Sequence, residues 1–175
     1  MFKIIGLIVL VLVVAVLVFA ATRPDTFRVE RSIVVKAPPQ RVLAQLDDFH
    51  RWRAWSPFEA LDPAMKREIA GNPQGKGAVY TWDGNSKAGA GRMEILEATP
   101  SCVRIQLDFT RPMTAHNTAE FLLVPEGDGT RVTWAMHGPQ PYIGKLMGLV
   151  FNMDRMLGKD FERGLTNLKR VAEGR

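Results

Sequence analysis

The residue types that most often carry catalysis or bind metals are few in this chain. It has three histidines and a single cysteine, Cys102. None of the histidines has another histidine, a cysteine or a paired carboxylate at the short intervals typical of metal sites. The sequence therefore predicts no metal site and no cofactor. No order of serine, histidine and aspartate indicates a nucleophile with its base, so no catalytic residue is assigned.

His116 is the histidine best placed for a polar role. It comes just before a predicted strand, where we expect it at the rim of a pocket as an acid or base. The alternative is an ordinary exposed histidine. His50 lies on a short, arginine-rich helical segment and is expected to be exposed. His137 should point away from the apolar side chains of its own strand.

Apolar and polar residues alternate with a period of two through most of the chain, which is the pattern of half-buried strands. Seven stretches show it: Phe27–Val35, Met65–Ile69, Ala78–Trp82, Arg92–Glu97, Val103–Phe109, Thr118–Val124 and Arg131–His137. Turn residues separate the last six, with too few residues between them for crossover helices. The spacing therefore predicts an antiparallel meander.

Helical patterns fill the gaps at the two ends of this sheet. Two short helices are expected after the first strand, one with an apolar face at Val42, Leu43 and Leu46 and one over Phe49–Trp55. From about Tyr142 to Ala172, apolar residues recur at three- and four-residue steps, which predicts one long amphipathic helix. The fold class is α+β, with the sheet wrapped around the last helix. Such a wrap leaves a space, which side chains fill or a ligand occupies.

Strand alternation and the helical stripe predict which side chains face that space. They are Tyr80, Trp82, Phe109, Phe121 and Trp134 from the strands, and Leu146, Val150, Met153 and Leu157 from the helix. Core packing alone would also account for most of these residues. Trp52 and Trp55 share a face of their short helix and are expected to be a structural plug rather than a gate.

The segment from Ile4 to Ala21 carries no charge and follows a single Lys3. At about 1.5 Å per residue it can cross the ~30 Å hydrocarbon core of a bilayer. The alternative is a cleaved signal, since Val18-Phe19-Ala20 resembles a cleavage site, but the apolar run exceeds the usual length of a signal core. We expect a single-pass anchor over residues 1–21, a linker over 22–26 and one domain over 27–175.

The distribution of charge does not determine on which side of the membrane the domain lies, but it argues against nucleic acid as a partner. Lys3 favours a cytoplasmic N-terminus, whereas the basic residues after the span favour the reverse. These are Arg23, Arg28, Arg31 and Lys36. The net charge is +5 and the pI about 9.7, but the basic residues are spread along the chain without a dense run, so no nucleic-acid binding is predicted.

Several stretches resemble the SRPBCC superfamily, which has a helix-grip fold and includes START lipid-transfer domains, Bet v 1-like allergens and polyketide cyclases. They are similar to its bacterial polyketide cyclase/dehydrase branch and together span residues 27–172. The stretches are residues 29–35 leading into Ala37-Pro38-Pro39, residues 52–57, residues 75–82, Thr133-Trp134 and residues 160–169. The resemblance implies the fold and does not specify an activity, because this superfamily carries binding, transport and catalysis on one scaffold.

Three functions are compatible with these observations, and binding is favoured over catalysis. The first is a membrane-anchored domain that holds an apolar or amphipathic small molecule of lipid, isoprenoid or polyketide-like type. The second is a cyclase/aromatase-like enzyme, which needs a buried titratable group among His116, Asp108, Glu94 and Tyr80. The third is a protein-interaction module resembling the Hsp90-activator homologues, in which side chains would fill the cavity.

Overall fold

The structure is a computed structural model that describes residues 2–150 and 152–175. Met1 and Phe151 lie outside the described residues. So does the side chain of Val150, one of the residues predicted to line the cavity.

Seven antiparallel strands form one continuous sheet, which confirms the predicted architecture. The strands are β1 (Thr26–Val35), β2 (Lys66–Gly71), β3 (Ala78–Asp83), β4 (Ala90–Thr99), β5 (Cys102–Arg111), β6 (Ala115–Glu126) and β7 (Gly129–Pro139). Their order across the sheet is β1-β7-β6-β5-β4-β3-β2, so β2 to β7 form the expected meander. β1 pairs with β7 along its whole length, from Thr26 opposite Pro139 to Val35 opposite Thr130.

Three short helices, rather than two, connect β1 to β2. They are α2 (Pro39–Leu46) and two 3₁₀ helices, Phe49–Ala54 and Pro57–Ala60. The sequence interpretation ended its second helix at Trp55 and so missed the third helix, Pro57–Ala60. Proline suits the first position of a helix, and four residues are too few to show a helical period.

The predicted long C-terminal helix is confirmed, but its predicted start at Tyr142 is wrong. The segment forms α3 (Tyr142–Val150) and α4 (Met153–Ala172). Asn152 has an extended backbone, and its side chain accepts a hydrogen bond from the Arg155 N–H at 2.8 Å, so it caps a new helix. The break changes the packing, since α4 lies across β1 while α3 packs against the N-terminal helix.

The core lies between α4, the short helices and the concave face of the sheet. The Trp134 ring stacks between Phe161, with ring centroids 4.2 Å apart, and Phe121, at 5.0 Å. Trp52 and Trp55 are buried beside this stack, and each indole N–H donates to a carbonyl of α2 at 3.0 Å. The hydrogen bonds link the short helices to each other, and edge-on contacts of both rings with Phe121 link them to the sheet, in agreement with the expected plug.

Two glycines let α4 approach its neighbours closely. A Cβ at Gly164 would lie 2.7 Å from the Trp134 ring and 2.8 Å from Pro57. A Cβ at Gly158 would lie 2.0 Å from the guanidinium of Arg31, which β1 directs towards α4. Both glycines lie in a helix interior, where glycine is unfavourable by about 1 kcal/mol relative to alanine. Close packing accounts for their presence.

The N-terminal helix α1 (Phe2–Ala21) contains the predicted anchor segment 4–21. Of its described residues, only Ala20 is buried in the protein. In the described chain it is the one helix long and apolar enough to cross a bilayer, and a signal sequence meets the same criteria.

Candidate functional site

A cavity of about 320 Å³ lies between the concave face of the sheet, the second 3₁₀ helix and the first half of α4. Its wall is mostly apolar and aromatic: Trp52, Phe58, Leu61, Met65, Tyr80, Trp82, Ala88, Met93, Leu107, Phe109, Ala119, Trp134 and Leu157. Four polar residues join them: Ser56, Glu59, Lys87 and Asp160. A volume near 300 Å³ with few polar groups is at the small end of the range for ligand pockets.

Five of the nine predicted lining residues lie on this wall. They are Tyr80, Trp82, Phe109, Trp134 and Leu157. All four aromatic residues in this set come from strands, where alternation fixes the face of the sheet to which a side chain points. The strand pattern therefore located them.

Three predicted lining residues lie elsewhere in the described chain. Phe121 is fully buried beneath the tryptophans and belongs to the solid core. Leu146 lies in α3, beside α1, and Met153 is the exposed first residue of α4. The prediction placed both on one helical stripe, and the break at Asn152 turns α3 away from the sheet. For Val150, the fourth helix residue, the side chain is outside the described part.

His116 lies on the outer face of the sheet, not at the rim of the cavity. β6 begins at Ala115, so His116 alternates with the inward-facing Ala119 and Phe121 and points outward. Its side chain is 68% exposed, and its Nδ1 lies 2.7 Å from Asp108 Oδ1. It lines a shallow groove on the outer face with His137 and Arg28.

A glycine positions one aromatic wall residue. Gly91 pairs with Trp82 across β3 and β4, and a Cβ there would lie 2.5 Å from the Trp82 ring. The ring therefore lies over the backbone of β4, with its N–H donating to the Ala88 carbonyl at 3.1 Å. Phe109 meets it edge-on at 5.6 Å between ring centroids. The packing leaves the Trp82 ring little freedom to move into the cavity.

The wall residues Glu59 and Tyr80 form a hydrogen-bonded group with Arg67. Glu59, on the second 3₁₀ helix, accepts a hydrogen bond from the Tyr80 hydroxyl at 2.6 Å through one oxygen. Its other oxygen accepts from Arg67 Nε at 2.7 Å. The exposed fractions of the Glu59 and Arg67 side chains are only 12% and 16%. Arg67 also donates to main-chain carbonyls of the same loop, including that of Met65. The group is thus held in one geometry.

This environment keeps the Tyr80 hydroxyl and the Arg67 guanidinium protonated near neutral pH. Burial raises the pKa of the Tyr80 hydroxyl, and the hydrogen bond to Glu59 raises it further. For Arg67, burial lowers the pKa, but the hydrogen bond and charge of Glu59 outweigh it, and the net shift is upward. Tyr80 therefore stays protonated and acts as a hydrogen-bond donor. A carboxylate has about four lone-pair sites, so Glu59 retains capacity to accept a further donor.

Sequence reasoning missed Glu59 and Arg67. They belong to different elements, eight residues apart across an irregular loop, and no spacing rule brings them together. The other candidate titratable groups lie on the outer face, where Glu94 pairs with Arg92 at 2.6 Å and Asp108 with His116. Tyr80 is the one candidate that the structure places at the cavity. In residues 2–150 and 152–175, no group of three or more His, Cys, Asp or Glu side chains is arranged to hold a metal ion.

The chain belongs to the polyketide cyclase/dehydrase and lipid transport family. The sequence model of that family matches residues 26–173, which confirms the resemblance inferred from the sequence. No curated protein matches the chain significantly.

Solved structures share the fold at low sequence identity. A protein of Chromobacterium violaceum is 17% identical with a TM-score of 0.59, and the match covers 87% of this chain and 100% of that one. The Aha1 protein of Colwellia psychrerythraea is 16% identical with a TM-score of 0.56, over 85% of this chain and 97% of that one. The di-domain ARO/CYC StfQ from the steffimycin biosynthetic pathway is 13% identical with a TM-score of 0.61. That match covers 85% of this chain and 51% of StfQ, so this chain spans about half of the di-domain protein. These likenesses show the fold alone.

Proposed function

We propose that this protein is a membrane-anchored binding domain whose cavity holds an apolar or amphipathic small molecule of lipid, isoprenoid or polyketide-like type. The observation that carries the proposal is the cavity of about 320 Å³ between the sheet and α4, with an aromatic wall and few polar residues, among them the hydrogen-bonded Glu59 and Tyr80. Side chains do not fill this space, which favours ligand binding over a surface-only interaction module.

The wall provides affinity mainly by removing apolar surface from water. At roughly 25 cal/mol per Å², a ligand that buries about 200 Å² of apolar surface gains about 5 kcal/mol before the entropic costs of binding. The Glu59 carboxylate on the wall adds a place for one hydrogen-bond donor of the ligand. An amphipathic molecule with a hydroxyl or similar group at one end fits this division better than a pure hydrocarbon.

Native mass spectrometry tests the proposal. The full chain is purified from cells into nanodiscs of deuterated phosphatidylcholine, so that any molecule carried from the cell keeps its ordinary mass. We expect one non-covalently bound molecule per chain. When this molecule is extracted, it should be of low polarity. Its occupancy should fall in a Leu157→Trp variant, because Leu157 lies on the cavity wall. Bare chain in both samples, together with no uptake of added apolar probes, would contradict ligand binding.

A cyclase/aromatase-like enzyme is the second candidate, favoured by the hydrogen bond from Tyr80 to Glu59 at the cavity wall. In this reaction the single O–H of Tyr80 would turn from Glu59 to the developing oxyanion of a poly-β-keto chain. Tyr80→Phe should then abolish cyclisation of a poly-β-keto thioester while probe binding survives. His116→Ala is the matched control and should leave both unchanged, since His116 lies on the outer face. Absence of turnover by the unmodified chain would exclude this candidate.

A further inference from the structure

Helix α3 buries its charged side chain and exposes apolar ones, which is the reverse of a surface helix in water. Its one charged residue, Lys145, has a side chain that is only 8% exposed, and its Nζ lies 2.6 Å from Asp25 Oδ1 of the linker. Its apolar residues point outward instead, with Ile143 62% and Met147 51% exposed. Lysine is among the residues least often buried, and large apolar side chains gain from leaving water. The outward face of α3 is therefore suited to a non-aqueous neighbour.

The contact between α3 and α1 determines the depth at which this face would lie in a bilayer that α1 crosses. The Tyr142 hydroxyl, at the start of α3, donates to the main-chain carbonyl of Leu17 at 2.8 Å. Leu17 precedes the last residue of α1 by four positions, or about 6 Å along the helix. Amphipathic helices that lie on membranes bury their apolar face about 5–10 Å deep, and tyrosine is enriched at that level. If α1 crosses a bilayer, α3 starts at the boundary between headgroups and acyl chains.

A second contact supports the same level. The Arg23 guanidinium lies over the Phe19 ring, 4.7 Å from its centroid. An arginine that folds along an aromatic ring at the end of an apolar helix holds its charge at the headgroups while its stem stays in a less polar layer. Phe19 lies between Leu17 and the end of α1, and Arg23 lies beyond that end, so this pair lies on the headgroup side of the Tyr142 contact.

Two apolar side chains at the beginning of α4 are exposed as well. Met153 and Met156 are 38% and 61% exposed. Met156 precedes Asp160 by four residues, so the two lie on the same face of α4, and Asp160 belongs to the cavity wall. Leu157, next to Met156, is also a wall residue. Met156 is therefore a neighbour of two residues of the cavity wall.

We infer that this surface, which we call the α3 patch, lies on the lipid bilayer that α1 enters. The patch consists of Tyr142, Ile143, Met147, Met153 and Met156. α3 is then an interfacial helix in the plane of the membrane, and the cavity wall at Leu157 and Asp160 stands next to the lipid, which is the source of the ligand. The inference rests on the proposed membrane anchor. A bilayer explains the patch better than a second copy of the chain, because the contact with α1 places the patch at the level of the interface.

The test uses the full chain in phosphatidylcholine–phosphatidylglycerol vesicles, with Cys102→Ser as the background and one new cysteine at a time. An environment-sensitive fluorophore is attached at Ile143→Cys, Met147→Cys, Leu10→Cys or Val124→Cys. Leu10 lies inside α1 and reports insertion of the anchor. Val124 is a matched exposed control, 55% exposed. Val124 pairs with Arg131 of β7, which in turn pairs with Val34 of β1. Val124 therefore lies near the end of β1 that is opposite to Thr26, about 27 Å away along the strand.

We expect doxyl-labelled lipid to quench the fluorophore at positions 143, 147 and 10 but not at 124. Aqueous iodide should quench positions 143 and 147 at least fivefold less than position 124. Equal quenching by iodide at 143, 147 and 124, with position 10 quenched by lipid, would overturn the inference and leave the anchor intact. Protection of 143 and 147 from both quenchers would assign the patch to a protein contact and also overturn it. If lipid does not quench position 10 either, the anchor fails and the inference fails with it.

A second variant separates membrane contact from ligand binding. The double substitution Ile143→Asp and Met147→Asp changes only exposed side chains, so the fold should persist. We expect transfer of an apolar probe from vesicles to slow at least fivefold, with the equilibrium affinity unchanged. An unchanged transfer rate would contradict uptake of the ligand from the membrane. If the unmodified chain binds no probe at all, the proposed ligand binding fails, and the quenching experiment still decides whether the patch lies on lipid.

Discussion

At the scale of single residues, the chemistry of the cavity is concentrated in Glu59, Arg67 and Tyr80. The carboxylate lies between a guanidinium and a hydroxyl at 2.7 and 2.6 Å, so the charge is balanced where it is least solvated. Removal of one member of such a pair leaves the other buried without a partner, which costs more than the pair contributes. Because this polar group lies on a mostly apolar wall, an amphipathic ligand would bind in a preferred orientation.

The raised pKa of Tyr80 predicts that the protein loses stability at alkaline pH. The ordinary value is 10.0, so above pH 10 the unfolded chain loses a proton that the folded chain keeps. The free energy of unfolding should therefore fall as pH rises from 10 towards the higher pKa of the folded state, by up to about 1.4 kcal/mol per pH unit. Tyr80→Phe should remove this part of the slope, although loss of the hydrogen bond costs about 1 kcal/mol at neutral pH.

Urea denaturation of the chain in detergent micelles between pH 8 and 11.5 measures the effect. Identical slopes for the unmodified chain and Tyr80→Phe would show that the Tyr80 hydroxyl is not held in the way the structure indicates.

At the scale of elements, two glycines of α4 differ in what opposes them. Gly158 faces the end of the flexible Arg31 side chain, which Asp154 and Glu162 hold at 3.0 and 2.9 Å. Gly164 faces the Trp134 ring and Pro57, neither of which can move without disturbing the aromatic core. The same change to alanine should therefore have different consequences at the two sites.

Gly164→Ala is predicted to destabilise the protein by about 1–3 kcal/mol through overpacking, in spite of the gain in helix propensity. Gly158→Ala should lie within about 1 kcal/mol of the original stability, because Arg31 can rotate away. Chemical denaturation of both variants gives the comparison. Equal stabilities for the two would mean that α4 does not lie as close to Trp134 as the structure places it.

The apolar helix α1 carries the next prediction. The full chain should remain in the membrane fraction after a carbonate wash, because a helix of this length and composition is not extracted by high pH. A chain beginning at Thr22 should be recovered in soluble form with its sheet intact. N-terminal sequencing that finds a mature chain starting near Ala21 would identify α1 as a cleaved signal instead.

Patterns that repeat along the chain predicted much of the fold. Alternation located all seven strands and placed Trp82, Phe109 and Trp134 on the inner face, since a strand has only two faces. It could not reveal the break at Asn152, because the apolar stripe continues on both sides of the cap. The contact between Glu59 and Arg67 arises from tertiary structure and leaves no periodic signal. Gly158 and Gly164 leave a signal of another kind, because glycine inside a predicted helix is unfavourable and needs a compensating reason.

At the scale of the whole molecule, the proposed function combines an apolar cavity with a membrane. The sheet and α4 hold the cavity, α3 packs against α1, and α1 is the proposed anchor. The first half of α4, with Leu157 on the cavity wall, is where these parts meet. A substitution there separates an open cavity from a solid core more directly than any other change.

The decisive measurement is the affinity of an apolar fluorescent probe for the full chain in nanodiscs, with Leu157→Trp compared with Val171→Trp. Both add the same large side chain to α4, but Val171 packs against the core near the end of the helix and is not a wall residue in the described chain. We predict at least tenfold weaker binding for Leu157→Trp with little change in stability. Val171→Trp should bind as the original chain does while losing about 1–3 kcal/mol of stability. Unchanged probe affinity in Leu157→Trp, accompanied by a comparable loss of stability, would show that the space is closed core and contradict the account.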